Sequence, residues 1–206
     1  MGRRALVVAL VLVFAVAPVA PAQAVGTPRP TSMSALGDSI TRGFNACGWF
    51  YDCTSRSWST GSYSTVNSHH RRLAATAPLA VFNDAKTGAK AAALPGQAAT
   101  AVGRGAQYVT VLVGANDACT RTVAEMTPVA TFQASVASAM ATLAGSGARS
   151  VFVSSIPDVL RLWEVGRTSS SARSAWSTYG ICQSMLANPT STARVTWPKV
   201  ADRFGW

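Results

Sequence analysis

The chain has 206 residues, of which 49% are hydrophobic, and a formal net charge of +10. This length is enough for one domain with a single core. Beyond the first few residues only Arg71 and Arg72 are adjacent cations, and no aromatic residues alternate with basic ones, so the composition argues against a nucleic-acid-binding surface.

The first 24 residues have the pattern of a secretory signal peptide. Arg3 and Arg4 precede an apolar run from Ala5 to about Ala17, and the small residues Ala22 and Ala24 predict cleavage after Ala24. A membrane anchor is the minor alternative, because the run is shorter than the roughly 20 apolar residues that span a bilayer. We therefore expect a secreted domain of residues 25–206 without stable membrane insertion.

Taken in chain order, the hydrophobic pattern predicts strands alternating with helices. The strands are expected at Ser34–Asp38, Ala80–Asn83, Tyr108–Val113 and Ser150–Ser155, and the helices at Thr65–Ala75, Ala91–Val102, Pro128–Leu143 and Ala172–Leu186. We expect Pro95 and Gly96 to interrupt the second of these helices. The run Tyr108–Val113 is typical of a strand buried on both faces. The alternation predicts a three-layer α/β/α fold around a doubly wound parallel sheet.

The segment from Phe44 to Ser64 is rich in aromatic rings, including Trp49, Phe50, Tyr51 and Trp58. Its composition predicts a loop over a functional site. The alternative interpretation, in which the rings only pack the loop onto the domain, has equal weight at this point.

Four cysteines, all in the expected mature domain, suit an exported protein. Cys47 and Cys53 are close enough in sequence to close a small loop, which leaves Cys119 to pair with Cys182. The spacing of the first pair, in a chain with only two histidines, does not resemble a zinc site. We predict two disulfides, no metal and no organic cofactor.

Three glycine-containing turns follow three predicted strands, at Gly37-Asp38-Ser39, Thr87-Gly88 and Gly114-Ala115-Asn116-Asp117. The carboxyl ends of parallel strands meet at one edge of a sheet, so these turns should converge there. A serine where a strand gives way to a helix is well placed for a nucleophile, since helix N-terminal N–H groups stabilise developing negative charge. By itself, however, Asp38-Ser39 before a helix is also ordinary N-cap chemistry.

With these motifs the chain resembles the SGNH (GDSL-type) hydrolases, a family of esterases and lipases, and in particular their secreted actinobacterial-type members. The resemblance covers about residues 34–193, with Ile40 where the family name has leucine. It implies a flavodoxin-like sheet order and a nucleophilic Ser39 that forms an acyl-enzyme. It also implies an oxyanion hole made by the N–H groups of Ser39 and Gly88 and the side-chain amide of Asn116. Gly37, Asp38, Gly114 and Asp117 would support the site, with Asp117 fixing its loop.

The family's base lies in a late Asp-x-x-His block, and this sequence contains none. His69 and His70 are its only histidines, and adjacent histidines beside Arg71 are more often a solvated helix face than a catalytic pair. The tail, residues 194–206, is atypical of the family, and our hypothesis is that the chain is shortened and that its sheet lacks a fifth strand.

The expected function is hydrolysis of a small-molecule or glycan carboxylic ester outside the cell by a monomer. The alternative is a family member that binds an acyl or glycan ligand without turnover, because the general base is unknown.

Overall fold

Four parallel strands form the central sheet of the computed structural model, which describes residues 29–147 and 149–186. The expected signal peptide and the atypical tail lie outside this part of the chain. The strands are β1 (Ser32–Gly37), β2 (Ala80–Asn83), β3 (Tyr108–Leu112) and β4 (Ser150–Val153). Their order, β2-β1-β3-β4, confirms the predicted flavodoxin-like arrangement.

The register places the strand ends level with one another. Met33 in β1 is paired with Tyr108 in β3, and Gly37 with Leu112. The carboxyl ends of β1 and β3 therefore meet at one edge, which is where ligand sites form in open α/β sheets.

Seven α-helices connect or cover the strands in the part of the chain that the structure describes. They are α1 (His69–Ala74), α2 (Leu94–Gly103), α3 (Ala115–Ala118), α4 (Val129–Ala144), α5 (Val159–Gly166), α6 (Ser170–Thr178) and α7 (Gln183–Leu186). None of these helices is long and apolar enough to cross a membrane.

Helices α2 and α4 pack together on one face of the sheet. Leu94 and Ala98 from α2 and Leu143 from α4 meet Leu36 and Val111 from the strands in one fully buried cluster. The alanines of α2 permit this close approach because they carry little side-chain volume.

The second core lies on the opposite face, because neighbouring residues along a strand point to opposite sides. Leu112, next to Val111, packs with Trp163 of α5, Trp176 of α6 and Leu186 of α7. The sheet is thus covered on both sides, as the three-layer prediction requires.

Several predicted helix boundaries differ from the structure. Pro95 and Gly96 do not interrupt a helix: proline lies in the first turn of α2, where its missing N–H would have no partner in any case. The predicted helix Ala172–Leu186 is two helices, because the backbone turns at Gly180 (φ 61°) and at Cys182 (φ 49°).

Two other helices also depart from the prediction. The first helix is shorter than Thr65–Ala75, and begins where the hydroxyl of Ser68 accepts a hydrogen bond from the Arg71 N–H at 3.1 Å. Helix α5 was not predicted; it begins after Asp158, whose carboxylate accepts from the Arg161 N–H at 2.9 Å.

Both predicted disulfides are present, Cys47–Cys53 and Cys119–Cys182. The second one joins the segment after α3 to the start of α7. In the outer strand β4 all four residues are exposed, and Val153 retains 58% of its accessible surface. The expected lack of a fifth strand concerns a tail that lies outside the described residues. In the described chain no strand pairs with the outer side of β4.

Candidate active site

The turn after β1 presents Ser39 at the carboxyl edge of the sheet. Gly37 has φ 140°, and a Cβ at this position would collide with the carbonyl oxygen of Leu112. Glycine is therefore required where β1 ends against β3.

Ser39 does not begin a helix, contrary to the sequence prediction. Consecutive turns follow it, with the Arg42 N–H donating to the Asp38 carbonyl at 3.1 Å and the Phe44 N–H to the Ser39 carbonyl at 2.9 Å. The Asp38 carboxylate closes the first turn by accepting from the Ile40 N–H at 2.9 Å. Tight turns can expose a serine hydroxyl as a helix start would, and Ser39 is only half-buried.

Two backbone N–H groups at this edge are available to a ligand. In residues 29–147 and 149–186, neither the Ser39 N–H nor the Gly88 N–H donates a hydrogen bond. Gly88 is exposed, has φ 81°, and has open space around the position that a Cβ would occupy. A substrate can therefore approach the backbone closely at Gly88.

Asn116 in α3 brings a third donor to the same edge. Its side-chain nitrogen donates to the carbonyl oxygen of Ala89, the residue after Gly88, at 2.9 Å. One N–H of this amide group is thereby fixed, and the other remains for a ligand. This contact links the Gly88 turn to α3.

Gly114 and Asp117 hold α3 in place. Gly114 has φ 125° and precedes the helix, and a Cβ there would press against the Phe132 ring at 3.3 Å. The buried Asp117 carboxylate accepts from the Ala91 N–H at 2.9 Å. Asp117 thus ties α3 to the start of the segment that leads into α2.

Asp38 and Asp117 are both fully buried, and each has one carboxylate oxygen without a hydrogen-bond partner in the described residues. Burial raises the pKa of Asp38 to about 6, and the negative charge of Asp117 adds to this rise, while the hydrogen bond from Ile40 opposes it. The turn that carries Ser39 is therefore closed by a carboxyl group whose pKa is about 6.

Asp52 connects the aromatic loop to both turns. Its carboxylate accepts from the hydroxyl of Thr87 and forms an ion pair with Arg42 at 2.8 Å. The hydrogen bond from Thr87 is the main reason that the pKa of Asp52 lies below its usual value. The contact with Arg42 lowers this pKa further.

Neither histidine is brought to Ser39. His69 lies against Tyr108, with its Nδ1 at 2.6 Å from the phenol oxygen, and its ring contacts Trp58 and Phe152. Tyr108 opens β3, about 13 Å along the strand from the residue that pairs with Gly37. Burial, and secondarily the charge of Arg72, lowers the pKa of His69.

His70 donates its backbone N–H to the Ser59 carbonyl at 2.8 Å, and its Nδ1 is buried without a hydrogen-bond partner in the described chain. His69 therefore packs α1 against β3 and β4, while His70 joins α1 to the segment before it. That segment also carries Trp58, which is half-buried.

Sequence reasoning missed Gln97. This buried residue of α2 forms two hydrogen bonds with the backbone of Gly37 and so fixes the end of β1. The available signal was a polar residue in an alanine-rich apolar stretch, at a position where burial requires a hydrogen-bond partner.

No group of three or more histidine, cysteine, aspartate or glutamate side chains in the described residues is arranged to hold a metal ion. The carboxyl edge of the sheet instead carries the Ser39 turn together with the hydrogen-bond donors of Gly88 and Asn116. Such donors stabilise an oxyanion in acyl transfer.

The GDSL-like lipase/acylhydrolase family matches residues 35–179, which include the turns of Ser39, Gly88 and Asn116. No curated protein matches the chain. Among solved structures, the lipase/acylhydrolase from Enterococcus faecalis matches with 17% identity and a TM-score of 0.42, over 83% of this chain and 71% of that one.

Proposed function

The chain belongs to the GDSL-like lipase/acylhydrolase family, and from this premise we propose that it hydrolyses carboxylic esters with Ser39 as the nucleophile. The Ser39 oxygen attacks the ester carbonyl, the alcohol leaves, and water then releases the acid from the acyl-enzyme. The substrate is a small-molecule or glycan ester, and no metal or cofactor takes part.

The observation that carries the proposal is that the N–H groups of Ser39 and Gly88 have no hydrogen-bond partner among the described residues, while the Asn116 amide binds the residue after Gly88. Because these N–H groups donate to no other described residue, a ligand can accept from them without breaking a hydrogen bond of the protein. In this proposal the three donors bind the oxyanion of the tetrahedral intermediate, for which loss of one donor typically costs about 10²–10³ in rate.

Hydrolysis of a short-chain p-nitrophenyl ester by residues 25–206 tests the proposal. We expect turnover that Ser39→Ala abolishes and that Ser138→Ala, an exposed serine of α4, leaves unchanged. Turnover that survives Ser39→Ala would overturn the assignment of the nucleophile.

A second candidate function is ligand binding without turnover. It is favoured by the contact of His69 with Tyr108, which leaves Ser39 without a histidine partner in the described chain. Without a base, oxyanion stabilisation and binding alone leave roughly 10³–10⁴-fold catalysis over water in serine proteases. Saturable binding of a short-chain ester in calorimetry, with turnover equal to that of Ser39→Ala, would favour this candidate.

Export from the cell is also part of the proposal. The two disulfides support it, because such bonds persist in oxidising compartments. Appearance of residues 25–206 in the medium of cells expressing the full chain, and its loss when residues 1–24 are deleted, would test it.

A further inference from the structure

Three exposed rings in contact with one another form a ridge beside the candidate site, and we call Trp49, Phe50 and Tyr179 the aromatic ridge. Trp49 is 72% exposed and Phe50 is 55% exposed. The Phe50 ring lies 5.4 Å from that of Trp49 and 5.7 Å from that of Tyr179, centroid to centroid. Contiguous exposed apolar surface of this kind marks an interaction site.

The backbone holds this ridge in an unfavourable conformation. Phe50 has φ 44°, which is rare for a bulky residue and persists only where surrounding contacts impose it. Those contacts are present: the Asn45 N–H donates to the Tyr51 carbonyl at 3.0 Å, and the Asn45 side chain accepts from the Phe50 N–H at 3.3 Å. The Cys47–Cys53 disulfide closes the same loop.

The ridge is attached to the turns that form the candidate site. The Phe44 ring lies 6.3 Å from Phe50, and the Phe44 N–H donates to the Ser39 carbonyl. On the other side of the loop, Asp52 bonds Arg42 and Thr87, and Thr87 directly precedes Gly88. A ligand surface that binds the aromatic ridge therefore lies close to Ser39.

Exposed cations surround the same edge of the sheet. Lys86, Lys90 and Arg121 are exposed, and none of them forms an ion pair with another described residue. Among the nearby carboxylates, Asp52 is paired with Arg42, whereas Glu125 accepts from the neutral backbone N–H groups of Arg121 and Thr122. Three cations against this one carboxylate leave the edge with a net positive charge.

We propose that the aromatic ridge and these three cations dock the protein onto an anionic lipid surface, and so present Ser39 to the ester bonds of its lipids. Aromatic side chains prefer the headgroup level of a bilayer, and lysine and arginine are attracted to anionic headgroups. The inference rests on the proposed function for the reaction, whereas the docking itself does not depend on it.

The ring geometry favours a lipid surface over a glycan. The Phe50 ring is tilted by 33° from Trp49 and by 50° from Tyr179, so the rings form no continuous flat platform for successive sugar rings. A fluid interface accepts rings in any orientation.

Sedimentation of the Ser39→Ala protein with vesicles tests the docking without any turnover. We expect binding to vesicles of phosphatidylcholine mixed with phosphatidylglycerol, weaker binding to phosphatidylcholine alone, and a decrease at high salt. The double variant Trp49→Ala/Phe50→Ala should bind the mixed vesicles at least about tenfold more weakly, and Lys86→Ala/Lys90→Ala about 30-fold more weakly at low salt.

Two variants control for the general loss of apolar or charged surface. Val165→Ala removes an exposed apolar residue of α5 and Arg72→Ala an exposed cation of α1, and both should bind as the parent does. Because all these side chains are exposed, thermal melts should be unchanged.

Failure to bind mixed vesicles, or binding that the Trp49→Ala/Phe50→Ala variant retains, would overturn the inference. So would binding of the ridge to an insoluble polysaccharide in preference to the vesicles. Turnover of a soluble short-chain ester reports separately on the proposed function, since that substrate needs no surface.

Discussion

The side-chain amide of Gln97 binds both backbone groups of Gly37, accepting from its N–H at 2.7 Å and donating to its carbonyl at 2.9 Å. The two residues are 60 positions apart in the chain. Through this pair, a helix that covers the sheet determines where β1 ends and where the turn with Ser39 begins.

Replacement of Gln97 should therefore damage both stability and the site. In Gln97→Leu the buried N–H of Gly37 loses its partner, which costs about 1–3 kcal/mol, whereas the Gly37 carbonyl still accepts from the Lys86 N–H. Urea denaturation would measure the loss. The exposed Gln133→Ala in α4 is the matched control and should change stability by less than about 0.5 kcal/mol. A Gln97→Leu protein as stable as the parent would contradict this role.

Two glycine substitutions should have opposite effects. Gly37→Ala introduces a Cβ against the Leu112 carbonyl at φ 140°, so we expect a strongly destabilised chain. Gly96→Ala lies in α2 with open space around the new Cβ, and should stabilise the protein by about 0.5–1 kcal/mol because alanine is the better helix former. Melting temperatures of the two variants would test this opposite effect, and equal shifts in both variants would contradict it.

The buried Asp38 should make stability fall as the pH rises from about 4 to about 6. Its pKa is raised from 3.8 to about 6, so in this range the folded state binds the proton more tightly than the unfolded state. The stabilisation by the protonated form is complete below the unfolded pKa and lost above the folded one. A pKa rise of this size corresponds to a change of about 3 kcal/mol in the free energy of unfolding.

Asp38→Asn provides the comparison for this effect. Asparagine keeps an oxygen that can accept from the Ile40 N–H but does not titrate, so the difference in free energy of unfolding between the two proteins should change across this pH range. Chemical denaturation at several pH values measures it. A difference that stays constant with pH would exclude Asp38 as the titrating group.

The two disulfides should differ in their contribution to stability. Cys119–Cys182 joins residues separated by 63 positions and Cys47–Cys53 by six, and loop-closure entropy then predicts about 4 and about 2 kcal/mol respectively. Paired alanine variants, one for each bridge, can be compared by denaturation. A larger loss for the Cys47 and Cys53 pair would contradict the entropic account.

Replacement of His69 should affect the fold and leave any ester hydrolysis intact. In His69→Ala the hydroxyl of Tyr108 loses its partner and a cavity opens beside Trp58 and Phe152, so the melting temperature should fall. The kcat for a soluble ester should equal that of the parent. Loss of kcat without loss of stability would instead identify His69 as the base.

The sequence by itself determined the elements and motifs that depend on neighbouring residues. The strand Tyr108–Leu112, the helix Val129–Ala144 and the glycine turns were predictable, because hydrophobic period and backbone preference are local properties. The convergence of the three turns followed from the rule that parallel strands share an edge.

Only the tertiary structure decided which distant groups satisfy one another. The partner of Gln97 is the backbone of Gly37, that of His69 is Tyr108, and the break before α7 coincides with the Cys182 disulfide. Turns follow Ser39 in place of the expected helix, because the backbone hydrogen bonds of this segment, such as that from the Phe44 N–H to the Ser39 carbonyl, join residues of the same loop. A buried polar group takes whichever partner the packed fold brings within about 3 Å, and sequence spacing carries no information on that distance.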